Sequence, residues 1–532
     1  MNLNITLIKL KKMSNLDLQS VPKANIEYNA FNLSHRHMTS FNMGRLYPIL
    51  NMEVLPGDKF NIDIRAFLRF SPLVSPAMNK YDIVIDTYYV PLRILWDNWT
   101  DFITGKLEVE APYMRFTSPF PAGSPAIGSL GDYLGLPTDI NTNGVEVSAF
   151  PLAAYWKIFD EYYKDQNLST YPGDYESLLD GQNDYCSNLS RFTAFKRAWT
   201  HDYFTSALPW AQRGEPVQLP LLTGDAMAMF VTRVNNAGGA FKGKIPGTNT
   251  DIGAGALTTS AGSFTQTGGA NVNFDPNNSL EVRIGENAGT IRDLRTAFAL
   301  QSYLERSAVG GQRYREWLYA NFGVIDDNAA LQRPEFLGRS TGVVTVSEVL
   351  SSVQTETDPL GRMGGHGISI TKENNISYTA KEHGIIMSLI NVQPEAIYYQ
   401  GIPKMWSRKT PLDYYLEPFA RIGEQEIKNK ELYTNGVSLA NLEETFGYQL
   451  RYAEYKTHNH RLSGQFKDSL RFWVAPRTFG AAPVLNQEFI DCTPSEEIFA
   501  VTNPAVDKIY SQMVFNITAL RKMPIEGTPP IM

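Results

Sequence analysis

Phe60-Asn-Ile-Asp-Ile-Arg-Ala-Phe-Leu-Arg-Phe70, followed by Tyr81-Asp-Ile-Val-Ile-Asp-Thr-Tyr-Tyr-Val90, decides how the chain is read. In the first run Phe60, Ile62, Ile64, Ala66, Leu68 and Phe70 take alternate positions, and Asn61, Asp63, Arg65 and Arg69 fall between them. Successive side chains of a strand point to opposite faces, so this spacing predicts a long strand with one dry and one wet face. Val54-Leu-Pro-Gly-Asp58 turns the chain into it, and Ser71-Pro-Leu-Val-Ser-Pro76 ends it because proline has no N–H for a ladder. The second run reads as a second strand. Asp82 and Asp86 would share one solvated face of it. After Pro91 the period changes: Leu95, Trp99, Phe102 and Ile103 fall on one helical face, and Gly105 stops the helix.

Around this stretch lie 532 residues, 43% hydrophobic and 12% aromatic, enough to bury a large core. Forty glycines and 31 prolines imply many turns between β-rich segments. Cys186 and Cys492 are far apart and give neither a disulfide framework nor a zinc ligand set, so they read as idle thiols in a reducing compartment. No apolar run approaches the roughly 20 residues needed to span a bilayer, so no membrane insertion is expected. The start, Met1 to Lys12, places its charges after its apolar part, unlike a signal peptide. Residues 1–30 read as a flexible arm, and Met13 offers an alternative start. The net charge is −7, whereas a protein that grips nucleic acid over its whole surface is normally basic. Any nucleic-acid contact must therefore come from local positive patches or a cationic partner.

Further along, residues 106–150 are Pro- and Gly-rich and read as a long loop. Pro151 opens a helix through Tyr163, with Leu152, Tyr155, Trp156, Phe159 and Tyr163 on one face. A second helix is expected near 192–205, with Phe192, Phe195, Trp199 and Tyr203 in line as core residues. From about 235 to 280 the composition shifts to Gly, Ala, Thr, Ser and Asn, which suits a surface excursion. Residues 290–306 read as a helix with Leu294, Ala297, Phe298, Gln301, Leu304 and Ala308 on one face. Gly310-Gly311 breaks it before a shorter helix around Tyr314, Trp317 and Leu318. Residues 382–392 form an apolar run of strand length, covered on both faces. Further strands are expected at 448–457, 469–475, 497–502 and 511–520.

The chemistry of an enzyme is missing from the text. There is no Gly-x-Ser-x-Gly, no His-Glu-x-x-His, no paired Cys-x-x-Cys and no Walker motif. The Gly-rich Asp358–Gly367 run lacks the Lys-Ser/Thr end of a phosphate loop. Asp82/Asp86 and Glu443-Glu444 are carboxylate pairs by spacing alone, which does not make a glycosidase. His35-Arg-His37 and His458-Asn-His460 each lack a third ligand nearby. No catalytic residue, cofactor or metal is assigned.

Four blocks stand out in the first fifth of the chain: Gly44-x-Leu-x-Pro48, Glu53-Val-Leu-Pro-Gly-Asp58, Val90-Pro-x-Arg93 and Trp96-x-x-Trp99-x-x-Phe102-Ile-x-Gly105. They resemble the major capsid protein of the microviruses, small icosahedral phages with single-stranded DNA, and within them the gokushovirus branch. Later come Gln393–Pro403, Met405-Trp-Ser-Arg408, Leu412-Asp-Tyr-Tyr415, Asn429-Lys-Glu-Leu-Tyr433, Arg451-Tyr-Ala-Glu-Tyr455 and Met523-Pro-Ile-x-Gly527. The blocks keep one order from about Phe31 to Gly527.

Composition and periodicity support a mostly β protein with helical insertions. The resemblance implies the rest: an eight-stranded antiparallel jelly roll with long loop and helical insertions, in a T=1 shell of identical subunits around circular single-stranded DNA. Residues 31–532 would be one domain. It would carry insertions at 106–230, 235–280 and 290–322, and C-terminal strands and loops in 382–532. The implied partners are the chain itself, the genome, a small basic DNA-packaging protein, an internal scaffolding protein, a DNA pilot protein and a host-cell receptor. The implied place is the virion, assembled in the bacterial cytoplasm. The 235–280 excursion resembles an insertion that forms outward protrusions in gokushoviruses, with Gly239, Phe241, Lys242, Phe264 and Phe274 as receptor-facing candidates. Candidate DNA contacts are Lys23, Arg36 and Arg45 near the arm, and Lys404, Trp406, Arg408 and Lys409 in the block that mixes cations with an aromatic. The rival reading is a carbohydrate-binding or glycan-hydrolysing all-β protein, which shares aromatic richness and surface carboxylates.

Overall fold

The computed structural model describes residues 27–525 except 116–125, 139–144, 170–174, 184–191, 215–216, 218–256, 261–262, 267–290, 312, 326–331, 351–360, 362 and 372–373. The chain divides into two compact units, one of Met1–Ala211 with Gly310–Met532 and one of Gln212–Val309.

The first unit is built on strands β1 (Asn29–Asn32), β2 (His35–Phe41), β3 (Tyr47–Val54), β4 (Lys59–Phe70) and β5 (Tyr81–Pro91). Later come β6 (Glu335–Val343), β7 (Thr345–Leu350), β8 (Met363–Ile370), β9 (Asn375–Thr379), β10 (Gly384–Pro394) and β11 (Ile509–Arg521). The alternation read at 60–70 is realised in β4, whose even-numbered residues are all buried and whose odd-numbered ones are not. One sheet has seven strands in the order β1-β11-β4-β8-β7, with β2 also on β11 and β9 also on β4. The other has four in the order β6-β5-β10-β3. Every pairing in these two sheets is antiparallel. In the first sheet Ala66 lies opposite Met513 and Ile62 opposite Ile517, so the two ends of the chain meet side by side. The described strands do not close into a barrel.

The core sits between the sheets. Phe60, Ile62, Ile64 and Leu68 of β4 and Met513, Phe515 and Ile517 of β11 share it with Ile83 and Ile85 of β5 and Ile386, Ile390 and Val392 of β10. Each such side chain contributes roughly 1.5–3 kcal/mol on leaving water. The far face of the four-stranded sheet is covered in turn by helix α1 (Phe150–Tyr162). Leu152, Tyr155, Trp156 and Phe159 pack there with Ile385, Met387 and Leu389. With a hydrophobic layer on each side, every residue of β10 is buried, which is why its sequence is a continuous apolar run.

In several places the structure departs from the reading of the sequence. The aromatic residues of 192–205 do not ride on a helix. Phe195 O accepts from Leu46 N, Gly44 O accepts from Arg197 N, Arg197 O accepts from Cys492 N, and Trp199 N donates to Ile490 O, each at 2.8–2.9 Å. From 195 to 199 the backbone bonds to two flanking segments instead of along itself, although Phe192, Phe195, Trp199 and Tyr203 are all buried. The helix after Pro91 is split into a 3₁₀ turn at Leu92–Ile94 and a short helix at Trp99–Ile103. Between them Trp96 is buried and its Nε1 donates to Asp180 at 2.8 Å. The strand expected at 448–457 is Thr445–Leu450; it is followed by Tyr452 at φ +61° and a 3₁₀ turn. Residues 469–475 hold a 3₁₀ turn at Arg471–Trp473 instead of a strand. In 497–502 only Phe499 makes an isolated bridge, to Leu73.

The second unit holds a two-strand pair, Leu257–Ser260 with Ser263–Gln266, and helix α2 (Ile291–Val309). Gln301 of α2 donates to Gln212 and Glu305. Phe298, expected on the apolar face of α2, is 62% exposed. Helix α3 (Tyr314–Phe322) belongs to the first unit and ends at Gly323, φ +68°.

Candidate assembly and nucleic-acid surfaces

Beyond β10 the chain leaves the sandwich and runs through three 3₁₀ turns, Lys404–Ser407, Pro411–Asp413 and Glu417–Phe419. Pro403, Pro411 and Pro418 explain this form: each fixes φ and removes a donor, so neither a ladder nor a long helix can pass. The turns rest on a hairpin, Glu424–Lys428 with Thr445–Leu450. Beneath it a separate core of Tyr203, Tyr398, Ile427, Phe446 and Phe489 forms.

The solvent side of these turns carries many large apolar side chains among its polar ones. Met405, Trp406, Leu412, Tyr414, Tyr415 and Ile422 are each more than half exposed, Trp406 by 75%. Large apolar side chains held in solvent along one short stretch of proline turns are the signature of a surface that other chains cover.

Two of the cations of this block face inward. Arg408 pairs with Glu454 at 3.3 Å and lies over the Tyr455 ring at 4.3 Å and the Tyr414 ring at 5.4 Å. Lys404 Nζ donates to the Glu426 carbonyl at 3.1 Å and stands 3.7 Å from Glu431. Glu431 is buried, and it accepts from Tyr203 Oη at 3.1 Å and from Lys428 N at 3.1 Å. Burial pushes its carboxyl above the usual range, and Lys404 opposes that. Trp406 and Lys409 of the same block are exposed. Near the N-terminal side Arg36 is exposed on β2, whereas Arg45 donates to the Ala194 carbonyl at 2.7 Å. Lys23, Gly239, Phe241, Lys242 and Phe274 lie outside the described residues; Phe264 lies in the Ser263–Gln266 strand.

The histidine pairs are engaged separately. His35 stacks on Phe515 at 4.8 Å, His37 Nδ1 contacts the Ile49 carbonyl at 3.1 Å, and His460 lies 3.4 Å from Glu395. Among the described residues no group of three His, Cys, Asp or Glu is placed to hold a metal ion. No described helix is long and apolar enough to cross a membrane. Cys492 is buried, and burial pushes its thiol up to about 12. Cys186 lies outside the described residues.

Asp86 corrects the reading of β5. Asp82 is on the solvated face as expected and pairs with Lys80 at 2.9 Å, but Asp86 is 1% exposed. Arg339 holds both its oxygens, at 2.6 and 2.9 Å, and Tyr163 Oη donates to it at 2.7 Å. Neither Arg339 nor Tyr163 is close to Asp86 in sequence, so only the β5–β6 register could have revealed the trio.

These features define a class: a two-sheet antiparallel β protein whose long loops carry outward apolar surface. Comparison with known proteins supplies the family. A model described as "Capsid protein (F protein)" matches residues 19–532. "Capsid protein VP1" of Bdellovibrio phage phiMH2K is 33% identical over 96% of each chain. Proteins of the same name from Chlamydia phage 1 (30% identical, 98% of each chain) and Spiroplasma virus 4 (29%, 98% of this chain and 99% of the relative) also align end to end. The chain belongs to this family of phage capsid proteins, with the gokushovirus branch of the microviruses. It is a structural protein of the virion that assembles into a shell, and the family is not one of enzymes. The carbohydrate-directed reading falls with that membership.

Proposed function

We propose that copies of this chain close into a T=1 icosahedral shell around circular single-stranded DNA. The observation that carries the proposal is the outward apolar run Met405, Trp406, Leu412, Tyr414, Tyr415 and Ile422, which needs a covering partner in a protein whose relatives are capsid subunits.

The strand order supports a jelly roll. Taking β2, β3, β4, β5, β6, β8, β10 and β11 as its eight strands, one wall reads β2-β11-β4-β8 and the other β3-β10-β5-β6. The chain then passes between walls at nearly every connection, staying on one wall only from β5 to β6. This alternation supports an eight-stranded double Greek key with added edge strands. Residues 31–532 would be one such domain, with 106–230, 235–280 and 290–322 as insertions on it, 382–532 supplying the last strands and loops, and 1–30 as an arm.

The excursion at 235–280 would face outward and bind the host receptor through Gly239, Phe241, Lys242, Phe264 and Phe274. Inside, Lys23, Arg36, Arg45, Lys404, Arg408 and Lys409 are the cations proposed to touch DNA; Trp406, read from the sequence as their stacking partner, is assigned here to the subunit contact instead. At a net charge of −7 the chain would need a small basic packaging protein to offset the remaining phosphates. Internal scaffolding and DNA pilot proteins would join during assembly in the bacterial cytoplasm. Sedimentation of the expressed full chain tests the shell: a single fast-moving closed particle is expected, and a monomer or small oligomer under all assembly conditions would overturn it.

A further inference from the structure

The seven-stranded sheet buries one face in the core and leaves the other to solvent, and that open face carries a pattern of its own. On β4 it shows Lys59, Asn61, Asp63, Arg65, Phe67 and Arg69, the positions between the buried ones. Register places the neighbours. Val514 of β11 lies opposite Arg65 on one side and Arg36 of β2 on the other. Tyr510 lies opposite Arg69 and Ser40, and Gln512 lies opposite Phe67 and Met38. Directly opposed residues of antiparallel strands share a face, and adjacent strands are about 4.8 Å apart. Three arginines from two strands therefore surround Phe67, Val514 and Tyr510. Arg69 lies 5.9 Å from the centre of the Phe67 ring, and Tyr510 is 42% exposed.

Among the described residues, Asp63 and Asp507 are acidic groups bonded at this end. Asp63 accepts from Arg65 at 3.0 Å and from Asn516 at 3.4 Å. Asp507 accepts from Ser40 at 2.7 Å and from Asn42 at 3.2 Å. At the far end of the same strand Lys59 and Lys522 stand 5.0 and 5.2 Å from the Tyr28 ring. So an acidic chain concentrates cations beside exposed aromatics at both ends of one open sheet face.

We propose that this face, centred on Arg36, Arg65, Arg69, Phe67 and Tyr510, is a binding platform for single-stranded nucleic acid. The arginines would take backbone phosphates and the rings would stack on unpaired bases. The assignment rests on the encapsidation reading above but names a different surface from the 404–409 block: Lys404 and Arg408 are largely covered where they meet their carboxylates, whereas Arg65, paired with Asp63, keeps about half of its side chain in solvent.

The test uses particles of the full chain and its purified subunit with a 20-nucleotide oligo-dT as probe. Replacing Arg36, Arg65 and Arg69 by Gln should lower the nucleic-acid content of the particles. It should also reduce the slope of log affinity against log salt by about 2, at roughly 0.7 per lost phosphate contact. Tyr510→Leu should weaken oligo-dT binding by about tenfold, the loss of one stacked base, with its salt slope unchanged. Replacing the same three arginines by Lys should restore the DNA content, which separates lost charge from a misfolded sheet. Arg461→Gln with Lys467→Gln, exposed cations elsewhere, should leave it unaltered. Wild-type particles without nucleic acid would overturn the encapsidation reading itself. Full wild-type particles with equally full Gln variants, or equal loss in the Arg461/Lys467 control, would overturn only this face. A Gln variant that binds oligo-dT normally but forms no particles would show a contact between copies of the chain, and would also overturn it.

Discussion

Arg339 grips the buried Asp86 with two nitrogens, at 2.6 and 2.9 Å, and so ties β6 to β5 beside the end of α1. Asp86 is 1% exposed, and Tyr163, the residue that follows α1, donates the third hydrogen bond to it at 2.7 Å. A charge-assisted bidentate pair with one partner buried is far costlier to halve than to keep. Arg339→Leu leaves a buried carboxylate uncompensated and should destabilise the subunit by about 3 kcal/mol, read by urea unfolding. Arg339→Lys, which keeps the charge but loses the fork, should cost less.

Gly44 lies in the turn between β2 and β3, and its backbone has φ +82°. A Cβ there would meet the Cys492 carbonyl oxygen at 2.3 Å, so the position combines a left-handed backbone with a close approach that only glycine permits. Gly44→Ala should push apart the 44–46, 195–199 and 490–492 segments and yield insoluble or strongly destabilised protein. Soluble yield and thermal midpoint are the readouts.

Burial pushes the Asp491 carboxyl up to about 6, against the attraction of Lys196. The native state therefore keeps this proton while the unfolded chain, with an ordinary value near 3.9, releases it. Between about pH 4 and pH 6 the unfolded state binds fewer protons, so stability falls as pH rises through this window and levels off above it. Asp491→Asn should remove that part of the pH dependence, seen as a flatter plot of unfolding midpoint against pH.

The Cys492 thiol is buried and held up at about 12. Because the thiolate is the reactive form, iodoacetamide at pH 8 should leave Cys492 unmodified in folded protein and label it after denaturation, as peptide mapping would show.

The apolar turns make the assembly claim local. Trp406→Ser with Leu412→Ser removes exposed side chains and should change subunit stability by no more than about 0.5 kcal/mol, while abolishing assembly. Circular dichroism paired with sedimentation separates the two effects.

The strands that were legible in the sequence are those whose burial is simple. β4 and β11 each have one dry face and alternate, and β10 is dry on both faces and reads as a continuous run. The 192–205 segment misled because its aromatics fall at helical spacing while its backbone is claimed by residues distant in sequence, Gly44–Leu46 and Ile490–Cys492. Periodicity records which side chains are buried and not what the backbone binds. The open basic face was equally hidden. Arg65 and Arg69 are visible in β4, but Arg36 and Tyr510 join them only through the register of β2 and β11. The cations of 404–409 show the converse, since sequence counts charges but does not show that Glu431 and Glu454 lie within reach of two of them.

Nuclease challenge of purified particles, viewed in parallel by electron microscopy, tests the central claim most directly. A closed shell of uniform diameter protecting single-stranded DNA of uniform length is the predicted result. Open aggregates, or particles whose nucleic acid is fully digested while the protein shell stays intact, would contradict it.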